Sequence, residues 1–273
     1  MTQLGHIRCF ILDMDGTFYL GDSLLPGALP FMDYLQRSGR DYLFLTNNSS
    51  CSASHYVAKL ARLGYQTDES HVLTSGEATA LYLKEKSPCA RVFLLGTPDL
   101  ADELIRHGFH LTDTSPDYVV LGFDKTLTYD KLSRACALIT AGVPYIATHP
   151  DINCPTEDGF IPDCGAIMAC IKASTGRDPY IIGKPRAAII EALFRRRPYP
   201  RSQTAIVGDR LYTDIATGKN AAITSILVLS GETQRGDLPT AEVTPDYVFD
   251  NLGALRDELI RLDQAGSDPV RVL

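Results

Sequence analysis

The chain has 273 residues, 45% of them hydrophobic and 22% charged, enough for a full globular core in one large domain or two ordinary ones. Acidic side chains outnumber basic ones 33 to 26, and the net charge of −7 disfavours a nucleic-acid partner, whose phosphates need a basic surface. No apolar run is long enough for a membrane span, and the apolar N-terminal stretch is too short, and too soon followed by acid, for a signal peptide. The seven cysteines are odd in number and lack CxxC spacing, which suits a reduced, cytoplasmic protein without disulfides or a zinc site.

Ile7 to Leu12 is an apolar, β-prone run that breaks into Asp13, Met14, Asp15, Gly16 and Thr17. Two carboxylates one residue apart at the end of a buried strand are costly unless they are paired or hold a metal. The C-terminal end of a parallel strand is also where open α/β sheets bind their ligands. Asp13 therefore reads as a nucleophile and metal ligand, and Asp15 as its acid/base partner. The plain alternative is an Asx-type turn serving geometry only. Gly27 to Ser38 has Leu29, Met32 and Leu35 at helical spacing, and Asp41 to Leu45 is a second strand. It stops at Thr46, Asn47, Asn48, Ser49 and Ser50, whose hydroxyls and amides suit phosphate oxygens or, more plainly, cap the helix Ala53 to Leu63.

Val72 to Lys86 gives a strand and a helix, and near Pro88 the pattern restarts. Strands are expected at Val92 to Leu95, Tyr118 to Leu121 and Tyr145 to Ala147, alternating with helices Asp99 to His107 and Leu127 to Thr140. Thr148 to Asp163 is expected to be a long irregular loop of functional use, followed by a helix from Cys164 to Ser174. Asp163 stands where it could face a ligand or simply N-cap that helix. Lys184 and Pro185 open a helix through Phe194, with the lysine in its first turn and Arg195, Arg196 and Arg197 as its solvated end. Thr204 to Val207 is a strand ending in Gly208 and Asp209, with Asp214 close behind. Ile215 to Asn220 (helix), Ile223 to Leu229 and Tyr247 to Phe249 (strands) and Leu252 to Leu262 (helix) complete the pattern, and a poorly ordered tail is expected from Gly266.

The ordered set DMDGT, TNN, GKP and GDRLYTD resembles the four motifs of the haloacid dehalogenase superfamily of phosphohydrolases, over the whole chain. Between Asp15 and Thr46 there is room for one helix, and between Thr46 and Lys184 for an inserted α/β cap. That arrangement resembles the NagD-type branch, which includes nucleotide, p-nitrophenyl, phosphoglycolate and pyridoxal phosphate phosphatases. The resemblance implies a doubly wound parallel sheet, a Rossmann-like core of residues 1–87 and 180–273, with a smaller α/β cap of residues 88–179. It implies a Mg²⁺-dependent phosphatase acting on a sugar phosphate, nucleotide or p-nitrophenyl phosphate-like monoester. Asp13 would form an aspartyl-phosphate, and Asp15 would act as general acid and base. Asp13, the Asp15 carbonyl and Asp209 would hold Mg²⁺, and Asp214 would anchor its waters. Thr46, Asn47 and Lys184 would grip the phosphoryl oxygens.

The chain departs from relatives at His149, Pro150 and Asp151, where they often carry Asn-Pro-Asp, and at Asp163, Cys164 and Gly165, where a small Gly-rich turn is common. His149, Asp151 and Asp163 are accordingly expected near the leaving group. Caps of this branch leave open a homodimer. The competing reading is a non-catalytic receiver-like module phosphorylated on Asp13, for which Asp15 and a cap would have no use.

Overall fold

A computed structural model describes residues 4–156 and 159–267; the expected tail falls mostly outside them. The chain divides into two compact units, one of residues 1–45, 60–67 and 198–273 and the other of residues 46–59 and 68–197. This division does not follow the expected borders at 88 and 179. Residues 46–59, 68–87 and 180–197, expected in the core, group with residues 88–179.

In the first unit, parallel strands lie in the order Tyr247–Phe249, Thr224–Val228, Thr204–Gly208, Cys9–Leu12 and Asp41–Thr46. Cys9–Leu12 is buried throughout and reads as a continuous apolar run, as a strand covered on both faces must. The chain moves from it to Asp41–Thr46 on one side and later returns to Thr204–Gly208 on the other. That reversal makes the ends of Cys9–Leu12 and Thr204–Gly208 the switch point of the doubly wound sheet, where a crevice for ligands opens. Helix Ala28–Arg37 buries Phe31, Met32 and Leu35 and packs on the C-terminal helix Leu252–Ser267.

The second unit contains a five-stranded parallel sheet in the order Tyr180–Ile181, Tyr145–Ala147, Tyr118–Leu121, Arg91–Leu95 and His110–Leu111. Its core joins Phe93, Val119 and Leu121 to Ile139 and Ile171 of helices Tyr129–Thr140 and Cys164–Thr175. Thr128 and Asp163 N-cap those two helices, the first accepting from Lys131 N at 3.2 Å.

Three expectations are corrected in this unit. Residues 148–163 are not an irregular loop: Asn153–Thr156 and Gly159–Pro162 pair as an antiparallel hairpin. Pro155 and Pro162, which argued for a loop, are tolerated because a two-stranded ribbon is all edge. Lys184 is not in the first turn of a helix, which starts at Ala188; its backbone is engaged elsewhere, as described below. Arg196 is not part of a solvated end. Its Nη1 donates to both Glu77 carboxylate oxygens at 2.9 Å and to Val72 O at 2.8 Å, tying helix Ala188–Arg196 to helix Ser75–Lys86. No helix among the described residues is long and apolar enough to cross a membrane.

Candidate active site

Register brings the first group of carboxylates together. Leu12 is paired with Val207, and Asp13 N donates to Val207 O at 2.9 Å, so Asp13 and Asp209 leave adjacent strand ends offset by one residue. Asp214 returns to them through a π-helical turn, Leu211–Ile215, in which Asp214 N and Ile215 N both donate to Arg210 O. Wide turns of this kind recur at functional sites because they re-aim a side chain. Carboxylate oxygens of Asp13, Asp209 and Asp214 all lie within 4.8 Å of one another.

The surroundings are cut to fit these acids. Gly16 has φ of +84°, which strains any residue with a Cβ, and a Cβ there would stand 2.4 Å from Asp209 Oδ2. At Gly231 it would stand 2.0 Å from the same oxygen, and at Gly208 2.1 Å from Asp214 Cγ. Glu232 N donates to Asp209 Oδ2 at 2.7 Å, and Arg210 N to Asp214 Oδ2 at 3.2 Å. Asp209 and Asp214 are each 1% exposed. Three buried or half-buried carboxylates facing one point offer a hard oxygen donor set, which fits a small divalent cation such as Mg²⁺. Asp214, expected to act through metal-bound water, stands beside the other two. Asp15 is exposed and is not one of the three; its backbone forms a bridge with Tyr19.

Sequence reasoning passed over Arg210. Burial opposes its charge, but the fields of Asp209, Glu232 and Asp13 raise its pKa, and its Nε lies 2.9 Å from Glu232 Oε2. Its position next to Asp209 was the only local signal. Thr17 Oγ1, in the same motif, is buried and makes no hydrogen bond within the described residues.

A second polar group lies in the other unit. Thr46 Oγ1 accepts from Asn48 N at 3.1 Å, and Asn48 Oδ1 from Ser50 N at 2.8 Å, so TNNSS is an ordered turn. Asn47 Oδ1 accepts from Lys184 N at 2.8 Å. Its Nδ2 donates to Lys184 O at 3.0 Å and to the Asp151 carboxylate at 3.1 and 3.2 Å. Both Nδ2 hydrogens are thereby used, so the expected grip of Asn47 on a phosphoryl oxygen does not come from this carboxamide. Lys184 is 4% exposed.

The two cap departures prove to be partners. His149 Nε2 and Asp163 Oδ1 are 2.9 Å apart, while Asp163 Oδ1 also accepts from Cys164 N at the helix start. His149 Nδ1 lies 3.1 Å from Thr148 Oγ1, and the ring is completely buried. Burial lowers the His149 pKa; Asp151 raises it and Lys184 lowers it further. Burial pushes the Asp163 carboxyl up to about 7 and the Cys164 thiol up to about 12. Neither His149 nor Asp163 presents surface for a leaving group; the helix-capping role is the one Asp163 fills.

Comparison with known proteins assigns the arrangement. A model described as haloacid dehalogenase-like hydrolase matches residues 10–110, and one described as HAD-hydrolase-like matches residues 181–255. The chain is 37% identical over 255 residues to an acid sugar phosphatase of Staphylococcus saprophyticus, covering 93% of this chain and 98% of that one. The structure of a 4-nitrophenylphosphatase from Thermotoga maritima superposes with a TM-score of 0.91 at 51% identity, covering 94% and 98%. That of a glycerol phosphate phosphatase from Mycobacterium tuberculosis in complex with magnesium superposes at 0.86 and 32%, covering 94% and 79%. With its acidic motifs DMDGT and GDRLYTD at the switch point of a doubly wound sheet, the chain belongs to the haloacid dehalogenase-like hydrolases and is a NagD-type phosphoric monoester hydrolase.

Proposed function

We propose that this phosphatase hydrolyses a small phosphorylated metabolite, a sugar phosphate, nucleotide or p-nitrophenyl phosphate-like monoester, through a phosphoaspartate at Asp13. The convergence of Asp13, Asp209 and Asp214 carries this reading. An Asp13 carboxylate oxygen attacks phosphorus as the ester P–O bond breaks, and Asp15 gives its proton to the departing alkoxide. Asp15 then takes a proton from the water that attacks the phosphoaspartate, which releases inorganic phosphate and restores Asp13. The Asp13 carboxylate, the Asp15 carbonyl and Asp209, with Asp214 beside them, would hold a Mg²⁺ ion, which would supply the positive charge that lets two anions meet. Thr46 and Lys184 bind the phosphoryl oxygens, and Lys184 offsets their negative charge.

The receiver-like alternative loses its ground, because the proteins this chain resembles over almost its whole length are phosphatases. Their names span sugar, glycerol and nitrophenyl esters, which supports a site that grips phosphate more than leaving group. The seven cysteines without CxxC spacing support a cytoplasmic setting. The test is phosphate release from a panel of sugar phosphates, glycerol phosphates, nucleotides and p-nitrophenyl phosphate, with and without Mg²⁺. Asp13→Asn keeps the shape but not the nucleophile, so turnover should fall to background while the melting curve is retained. Near-normal release by that variant would rule out the covalent route.

A further inference from the structure

The contact between Asn47 and Asp151 is used by no step above. Its setting is unusually determined. One carboxamide clasps both backbone polar groups of Lys184, and its remaining hydrogen is committed to Asp151. The residues are 104 and 137 positions apart in sequence, so the fold alone joins them. Asn47 and Lys184 are 6% and 4% exposed, so hydrogen bonds here act in a low dielectric, and the one to a carboxylate is charge-assisted.

Asp151 is itself held in place. Its carbonyl accepts from Gly165 N at 2.7 Å, in the first turn of helix Cys164–Thr175. A Cβ at Gly165 would stand 2.2 Å from Pro150 O, so the loop and the helix end are in direct contact. Gly183 closes the other side, where a Cβ would stand 2.7 Å from Asn47 Oδ1. The buried His149 ring responds to the charges of Asp151 and Lys184 in opposite senses, so both lie within its reach.

We infer that Asp151 is a positioning residue for Lys184, acting through the Asn47 carboxamide, and that it governs phosphate affinity and not the choice of leaving group. The inference rests on the reading of Lys184 as a phosphate ligand. A carboxylate accepts hydrogen bonds and donates none, so Asp151 demands the NH₂ of Asn47 on its side. That orientation turns Oδ1 toward Lys184 N. In the flipped amide, NH₂ would face the Lys184 N–H and Oδ1 would face the Asp151 carboxylate, donor against donor and acceptor against acceptor. Lysine is a flexible four-carbon stem with a point charge at its end, and the position of its backbone sets the volume that charge can reach.

The experiment uses Asp151→Ala, Asp151→Asn, Asn47→Asp and the exchanged pair Asn47→Asp/Asp151→Asn. The readouts are inorganic phosphate binding by calorimetry, kcat and KM on glycerol phosphate, glucose phosphate and p-nitrophenyl phosphate, and thermal melting. Removing the tether in Asp151→Ala should weaken inorganic phosphate binding about tenfold and lower kcat/KM by a similar factor on every ester. Asp151→Asn, whose Oδ1 still accepts, should lose less. Asn47→Asp sets two carboxylates against each other and should lose on the order of 10²-fold. The exchanged pair should regain about tenfold over Asn47→Asp, because residue 151 now donates to residue 47. If Asp151→Ala changes KM unequally among esters while phosphate affinity stays put, Asp151 touches the leaving group and the inference is wrong. An exchanged pair no better than Asn47→Asp also overturns it. Should Asp151→Ala fail to fold, Asp151→Asn and the exchanged pair carry the same test. A wild-type chain that neither turns over nor binds phosphate removes the phosphatase mechanism itself, a result distinct from a normal wild type with indifferent variants.

Discussion

Asp163 Oδ1 serves two neighbours at once, the Cys164 N–H at the helix start and His149 Nε2. Burial is the larger influence on the carboxyl and the imidazole alike, raising Asp163 to about 7 from its ordinary 3.8 and lowering His149 from 6.5. A folded-state pKa above the unfolded one means that the fold prefers the protonated carboxyl. The stabilisation from that preference is complete below about pH 4 and is lost as pH rises through about 7. His149 contributes in the opposite sense, its share being lost as pH falls below the ordinary imidazole range, so the two must be separated by substitution. Asn caps a helix as well as Asp but cannot ionise. Asp163→Asn should therefore be more stable than wild type at pH 8 than at pH 5, by a difference on the order of 1–3 kcal/mol in paired denaturation curves. Parallel pH profiles for the two proteins would mean that Asp163 is not held protonated.

At the level of elements, the C-terminal helix Leu252–Ser267 is fastened by polar contacts as well as by Leu252, Leu255 and Leu259, which are buried. Arg40 Nη1 and Nη2 donate to Asp263 Oδ2 and Oδ1 at 2.8 and 2.7 Å, a forked pair. Arg40 Nε donates to Ile7 O at 3.2 Å, and Tyr34 of helix Ala28–Arg37 donates to Asp263. Burial and the Asp263 hydrogen bond push the Tyr34 hydroxyl up to about 12. The Arg40 side chain is 1% exposed and the Asp263 side chain 38%. Removing the acid thus strands a buried cation, whereas the acid itself is partly in water. Asp263→Ala should cost about 2 kcal/mol in urea unfolding, mostly from the unpaired guanidinium. A loss under about 0.5 kcal/mol would show that the apolar face alone secures the helix.

Over the whole molecule the net charge is −7, and three of the acidic side chains, Asp13, Asp209 and Asp214, converge on one point. Like charges that close together are a standing cost to the folded state, and a bound divalent cation relieves it. A cation that binds only the folded chain stabilises it by mass action, by about 2.7 kcal/mol at a hundredfold excess over its dissociation constant. Millimolar Mg²⁺ should therefore raise the melting temperature by about 2–6 °C. Asp209→Asn should abolish most of that rise, while EDTA should silence phosphate release in the wild type. A melting temperature indifferent to Mg²⁺ in the wild-type chain would contradict the assignment of this site, whatever the assay shows.

What the sequence determined by itself was local. Apolar runs such as Cys9–Leu12 and Thr204–Gly208 specify strands, and an acid directly after each makes that strand end a candidate site, because a buried acid is costly unless it is paired or holds a metal. The order DMDGT, TNN, GKP and GDRLYTD placed the family and the doubly wound sheet. Tertiary structure decided which side chains meet. Nothing near Asn47 indicates that its amide is taken up by Lys184 and Asp151, and nothing near Arg196 indicates Glu77. The His149 and Asp163 departures looked like two substrate contacts until the hairpin Asn153–Thr156 and Gly159–Pro162 closed the chain between them and made them one buried pair. Propensity and patterning act over a few residues, whereas a hydrogen-bond partner is chosen by the register and packing of distant elements, which local sequence does not encode.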